Sequence, residues 1–307
     1  MFNAVTANKT PPHPPSEKPI KLWLLGLFSG LAFSHLTLTS QLGEPGLSSS
    51  SLLFWTATTL LLWQNQDQIK LRCSSSAVLL GVSLVALVLY KNLHLFEGDF
   101  FLRLSPLLSV LALGLIASGF KGLQQYKKEF FLLSFLAIPW ELIYLIDISL
   151  LTAKFSAFVL WIMGFEVTRQ GFWILLPTGS IEVYNGCSGV KMIVQLVGIS
   201  WLVLALVPTR WQQKVGLPLV AILLGFVING VRVALMAVLV ALSDMAGFDY
   251  WHVGTGSLVF SAIAVLLFGL ISQKLLHTRP ASHQELRHDT LSKIPHKSEA
   301  IIPHRAV

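Results

Sequence analysis

A thiol, a guanidinium and an imidazole together suffice for acyl transfer, and this chain carries one of each in apolar surroundings. Cys187 stands in Val183-Tyr184-Asn185-Gly186-Cys187-Ser188-Gly189, where an irregular stretch gives way to a long apolar run. Arg232 lies inside Asn229-Gly230-Val231-Arg232-Val233, and His252 follows Tyr250-Trp251. A thiol attacks carbonyls as its thiolate, which a helix N-terminus or a nearby cation such as Lys191 or Arg232 favours. His252 could take the thiol proton and return it to a leaving amine. Arg232 stays protonated and cannot be the base. It could stabilise an oxyanion or hold a substrate carboxylate. Gly186 and Gly189 would let a peptide backbone approach the thiol. Each residue also has a plainer reading: Cys187 as a small apolar core residue, His252 as a helix cap, and Arg232 as a structural partner of Glu141 or Asp147. What decides between them is whether the chain brings the three together.

The elements that must do so are membrane helices. A chain of 307 residues that is 54% hydrophobic and 12% charged, with a mean hydropathy of +0.68, cannot hide its apolar surface in one water-soluble globule. A net charge of +7 might suggest nucleic acid. The Lys and Arg residues fall between apolar runs, however, and form no stripe on a soluble face, so no nucleic-acid partner is expected. A spanning helix needs about 20 mostly apolar residues. Eight stretches qualify, near 22–40, 48–63, 77–93, 101–120, 130–151, 187–207, 215–243 and 253–275. The expected fold is therefore an all-α polytopic membrane protein of about eight transmembrane helices, with a short extracytoplasmic hairpin before the sixth. The polar, Pro-rich start has no signal-peptide pattern, so the first apolar run is expected to remain as a span. Residues 1–21 read as a cytoplasmic tail, 22–276 as the membrane domain with its catalytic part near 152–260, and 277–307 as a basic cytoplasmic tail. The histidines of that tail, His277, His283, His288, His296 and His304, follow no metal-site spacing, and neither a metal nor a cofactor is expected.

Short cytoplasmic loops are enriched in Lys and Arg. With the N-terminus inside, sixteen of the cations fall on the cytoplasmic side and four (Lys91, Arg103, Lys154, Arg169) on the other, Lys191 and Arg232 lying within spans. Cys73 then sits in an inside loop and reads as inert. Cys187 begins span six on the outer face, so no disulfide joins the two. Span seven begins inside near Val215, and Arg232 is about 25 Å further along it at 1.5 Å per residue, close to the outer surface of a core about 30 Å thick. His252 opens span eight from outside. All three residues are thus expected at one membrane face. Cys187, Lys191 and Gln195 form an i, i+4, i+8 polar stripe. Asn229 and Arg232 share a face of span seven, and His252 one of span eight with Thr255 and Gly256. Such stripes should face each other rather than lipid. Between spans five and six, Lys154 to Gln170 suits an interfacial helix, and Phe172–Tyr184 a hairpin turning at Pro177-Thr178-Gly179-Ser180.

At these residues the sequence resembles the exosortase/archaeosortase family of membrane-embedded cysteine enzymes. The likeness lies in Asn185-Gly186-Cys187-Ser188-Gly189-Val190-Lys191, in Asn229-Gly230-Val231-Arg232-Val233 and in His252, and covers roughly 100–275. It looks most like the cyanobacterial branch. The resemblance implies Cys187 as nucleophile, Arg232 as oxyanion or substrate stabiliser and His252 as general acid/base, with Lys191 and Asn229 supporting. Many members carry Arg where this chain has Lys191. It further implies a cysteine peptidase or transpeptidase of the plasma (inner) membrane, its site facing outward. The implied partners are substrate proteins ending in a sorting signal: a Pro-Glu-Pro-like motif, a transmembrane helix and a basic cluster. A transporter or channel using intramembrane Arg and His is the rival class. Transport should survive Cys187→Ala; thiol catalysis should not.

Overall fold

The structure is a computed structural model that describes residues 18–42, 46–72, 74–96, 99–139 and 145–277. Of the expected tails, 1–17 and 278–307 lie outside the described residues, as do Cys73 and Glu141, while 18–21 belong to the first helix. Helices α1 (Lys18–Leu42), α2 (Leu47–Asn65), α3 (Ser75–Asn92) and α4 (Phe100–Gly122) are followed by a 3₁₀ turn and the short α5 (Lys127–Ser134). Then come α6 (Ser149–Ile162), strands β1 (Thr168–Gln170), β2 (Trp173–Leu176) and β3 (Gly179–Glu182), α7 (Val190–Leu206), α8 (Trp211–Ala241), α9 (Met245–His252) and α10 (Gly256–His277).

Among the described residues, five stretches are long and apolar enough to cross a bilayer: Pro19–Leu42, Ser75–Asn92, Phe100–Ser134, Trp211–Ala241 and Gly256–His277. The chain is a helical, multi-pass membrane protein. Helix α7 is apolar but only 17 residues long. Helix α2 has the length, and three of its hydroxyls are absorbed locally: Thr56, Thr58 and Thr59 donate to the carbonyls of Leu52, Phe54 and Trp55. A hydroxyl that bonds its own helix costs little in an apolar medium.

The expected fifth span, 130–151, is divided. Helix α5 stops at Ser134 and the chain runs through turns closed by Leu136 N–H to Leu133 O and Ile138 N–H to Phe135 O. Pro139 supplies the reason, because its ring disfavours helical backbone in the residue before it. Beyond residues 140–144, which are not described, a helix starts at Ser149, whose N–H is accepted by the Asp147 carboxylate at 2.9 Å. Asp147 thus sits at the start of α6, and α6 takes only the first part of the stretch expected to form an interfacial helix. Its remainder contributes β1.

The sheet is an antiparallel meander, β1-β2-β3, one strand richer than the expected hairpin. Ile174 and Val183 bury fully beneath it, in a core shared with Ala153 and Leu160 of α6 and Val233, Met236 and Ala237 of α8. The turn into β3 is pinned to the end of α8, where Thr178 donates to Ala241 O at 2.7 Å. At Gly179 a Cβ would lie 3.0 Å from the Ala241 backbone, so a larger residue would push the turn and the helix end apart by a few tenths of an ångström. Helix α8, with 31 residues, is about 46 Å long at 1.5 Å per residue. That exceeds an apolar slab about 30 Å thick, and the sheet packs against its C-terminal end.

Helix α9 was not part of the sequence expectation. Asp244 caps it by accepting the Gly247 N–H at 2.8 Å. It ends at His252, and the chain turns through Val253, Gly254 and Thr255 before α10 begins. His252 therefore closes a short helix instead of opening the last span.

Candidate functional site

Cys187 does not begin α7. It ends a 3₁₀ turn over Asn185–Cys187, closed by its own N–H to the Tyr184 carbonyl at 2.9 Å. Gly189 follows with φ +95, the left-handed conformation that L side chains avoid, and helix starts at Val190. Three contacts hold this corner. Asn229 of α8 donates its amide to Cys187 O at 3.0 Å, and Thr152 of α6 donates to Ser188 O at 2.6 Å. Ser156 of α6 donates to Gly230 O of α8 at 2.8 Å, beside the Phe155 ring that fills the space above Gly230. Asn229, 2% exposed, thus supports the cysteine through its carbonyl.

The thiol is 6% exposed and its sulfur lies 3.2 Å from His252 Nε2. The imidazole is held by ring contacts, with Phe248 one helical turn earlier at 5.0 Å and Tyr184 edge-on at 6.4 Å. Arg232, half-buried on α8, donates Nε–H to Trp251 O at 3.2 Å and Nη2–H to His252 O. Those carbonyls belong to the last residues of α9. Positive charge favours the C-terminal end of a helix, where carbonyls lack intrahelical partners. Residues 45 and 20 apart in sequence therefore meet within one hydrogen-bonded group.

Over residues 44–269 the chain matches the family model of the transmembrane exosortases. The chain belongs to that family. The match takes in Cys187, Arg232 and His252 and begins just beyond α1. Comparisons with curated proteins and with solved structures found no match.

The charge state of this exosortase-family site follows from its surroundings. Burial pushes the Cys187 thiol above its ordinary range, opposed by a hydrogen bond from Tyr184 and by the Arg232 charge. Burial first, and then the Arg232 charge, holds the His252 imidazole below its ordinary value against a weaker pull from Asp249. With the thiol raised and the imidazole lowered, the resting pair at neutral pH is a neutral thiol beside a neutral base. Among the described residues no group of three or more His, Cys, Asp or Glu sits close enough to hold a metal.

Several expectations change. Lys191 and Gln195 are both exposed on α7, and Lys191 has no hydrogen bond or ion pair with Cys187, Arg232 or His252. The i, i+4, i+8 stripe assumed that Cys187 was helical, and the left-handed turn at Gly189 breaks that phase. His252 shares no helix with Thr255 or Gly256. Arg232 is tied to backbone carbonyls, and Asp147 is exposed and bonded to Ser149 instead. The room beside the two glycines is filled from within the chain. A Cβ on Gly186 would lie 2.5 Å from the Tyr184 ring, and one on Gly189 2.6 Å from Asn229 Nδ2. Sequence reasoning missed Tyr184 and Thr152 altogether. Tyr184 was within reach, since it stands three residues before Cys187, as was the Asp244 cap of α9. Thr152 gave no signal, because a threonine in an apolar helix ordinarily bonds its own backbone.

Proposed function

We propose that this exosortase-family protein is a membrane-embedded cysteine peptidase or transpeptidase that cuts C-terminal sorting signals on the extracytoplasmic face of the plasma membrane. The observation that carries this reading is the 3.2 Å contact between the Cys187 sulfur and His252 Nε2. A nucleophile and a base at that separation, with the base oriented by a third group, form the general arrangement for covalent catalysis.

In this reading His252 Nε2 takes the thiol proton as the sulfur attacks the scissile carbonyl carbon. The carbonyl π pair moves onto oxygen, the C–N bond then breaks, and the imidazolium returns its proton to the leaving amine. The product is a thioester on Cys187, open to water or to the amine of a carrier. Arg232 acts as a positioning residue. Its guanidinium fixes the last carbonyls of α9 and so sets the imidazole against the sulfur. Its charge, close to the sulfur, favours the thiolate that the attack requires. Asn229 and Thr152 hold the corner on which the thiol rides.

The substrate class follows from the family: proteins ending in a short motif, a transmembrane helix and a basic cluster. Such a helix lies in the same bilayer, and its outer end would meet the C-terminal end of α8, where the thiol sits. The test is capture of a thioester between Cys187 and a co-expressed protein bearing such a signal. The expected species is sensitive to hydroxylamine and absent from Cys187→Ala, which should insert and accumulate normally. Normal processing by the alanine variant, in cells with no other exosortase, overturns the proposal.

A further inference from the structure

We propose that the Tyr184 hydroxyl is a further catalytic group of this site, a hydrogen-bond donor to the Cys187 sulfur that holds the thiolate while His252 carries the proton. The word catalytic rests on the cysteine-enzyme reading above; the position of the hydroxyl does not.

The turn geometry puts the phenol where it is. Side chains three apart in a 3₁₀ turn eclipse one another, and the turn closed by Cys187 N–H on Tyr184 O sets the ring on the thiol's side. The ring covers Gly186, where a Cβ would displace it, and meets the imidazole edge-on at 87°. Its hydroxyl stands 3.4 Å from His252 Nε2, the atom that lies 3.2 Å from the Cys187 sulfur. A tyrosine kept for packing would be buried, with its hydroxyl turned to water or to a backbone carbonyl. This one is 54% exposed, yet its hydroxyl is directed at His252 Nε2, the atom the thiol proton must reach.

The need for such a donor follows from burial. A sulfur at 6% exposure that loses its proton becomes a nearly buried anion, which requires a hydrogen bond or a cation to be tolerated. Two neighbouring side chains have donors engaged elsewhere. Arg232 gives Nε and Nη2 to the carbonyls of Trp251 and His252, and the Asn229 amide serves the Cys187 carbonyl. The charged and titratable groups around the sulfur are Tyr184 itself, Arg232 from α8, and His252 with Asp249 behind it from α9. Of these only Tyr184 offers a neutral O–H. The proton leaves Sγ for His252 Nε2, the phenol keeps its own, and charge is conserved. The thiol contact and burial together hold the phenol above its ordinary range, so it stays a donor at neutral pH.

The experiment measures the pH dependence of Cys187 alkylation by iodoacetamide. It uses the full chain in nanodiscs, with Cys73→Ser removing the second thiol, and compares Tyr184→Phe with the unsubstituted tyrosine. Phe keeps the ring over Gly186, and an unchanged melting temperature confirms an intact fold. Loss of the donor raises the thiol pKa, so the profile should move to higher pH. Alkylation at neutral pH should fall about three- to tenfold, because part of the lost thiolate population is offset by higher intrinsic nucleophilicity. Superimposed profiles overturn the role of Tyr184. Processing of a sorting-signal protein, measured in parallel, reports on the proposed function separately. A wild-type protein that leaves that substrate whole overturns the enzyme reading, while a displaced alkylation profile still identifies Tyr184 as the donor to sulfur.

Discussion

Arg232→Lys separates the positioning role of Arg232 from a mere need for positive charge. The guanidinium bridges two carbonyls at the end of α9, with Nε–H on Trp251 O and Nη2–H on His252 O. Lysine brings one compact ammonium on a different reach and cannot reproduce that fork. Losing one hydrogen bond from a charged donor costs about 1.5 to 3 kcal/mol. At about 1.4 kcal/mol per factor of ten, the population with His252 in line with the sulfur falls roughly 10- to 100-fold. We therefore expect kcat for sorting-signal cleavage to drop by that factor, with KM and protein abundance close to wild type. The assay is single-turnover cleavage by purified protein in nanodiscs. Added imidazole should restore part of the rate, because the defect is a displaced base. A donor acting directly on the oxyanion would give a comparable loss, about 10²- to 10³-fold, and would not respond to imidazole. Near-wild-type turnover in Arg232→Lys, or a deficit that imidazole leaves untouched, would refute the positioning argument.

Two other outcomes test the corner and the side on which it lies. Gly189→Ala must adopt φ +95 and bring its Cβ to 2.6 Å from Asn229 Nδ2. It should lower the melting temperature, by about 1 to 3 kcal/mol of backbone strain, and abolish processing through loss of the Asn229 hold on Cys187 O. A stable, active alanine variant removes that corner from the argument. Single cysteines at exposed positions 184 and 245, in a background without Cys73 and Cys187, should react with an impermeant maleimide from outside intact cells, and one at 127 should not. The reverse labelling inverts the proposed topology.

How much of this was legible in the sequence depends on the kind of interaction. Class was legible: apolar runs near twenty residues long can satisfy their backbone only as helices in a bilayer, and α1, α3, α4, α8 and α10 lie where those runs are. That Cys187, Arg232 and His252 meet was legible too. Helix length and bilayer thickness set depth along the axis, and depth survives errors of a few residues. The break at Pro139 and the Asp244 cap could have been read from local chemistry and were not.

Which side chain touches which was decided only in three dimensions. Facing depends on helical phase, about 100° per residue, and a single left-handed glycine resets it. Gly189 thus turns Lys191 and Gln195 outward, while the turn before it sets Tyr184 against His252. Nor can a sequence reveal a partner that every residue possesses. Arg232 was expected to stabilise an oxyanion or hold a substrate carboxylate, and the fold adds acceptors that no motif marks, the backbone carbonyls of Trp251 and His252. Those carbonyls became acceptors because a short helix ends there without intrahelical partners for them, and where that helix lies against α8 is a property of the folded chain alone.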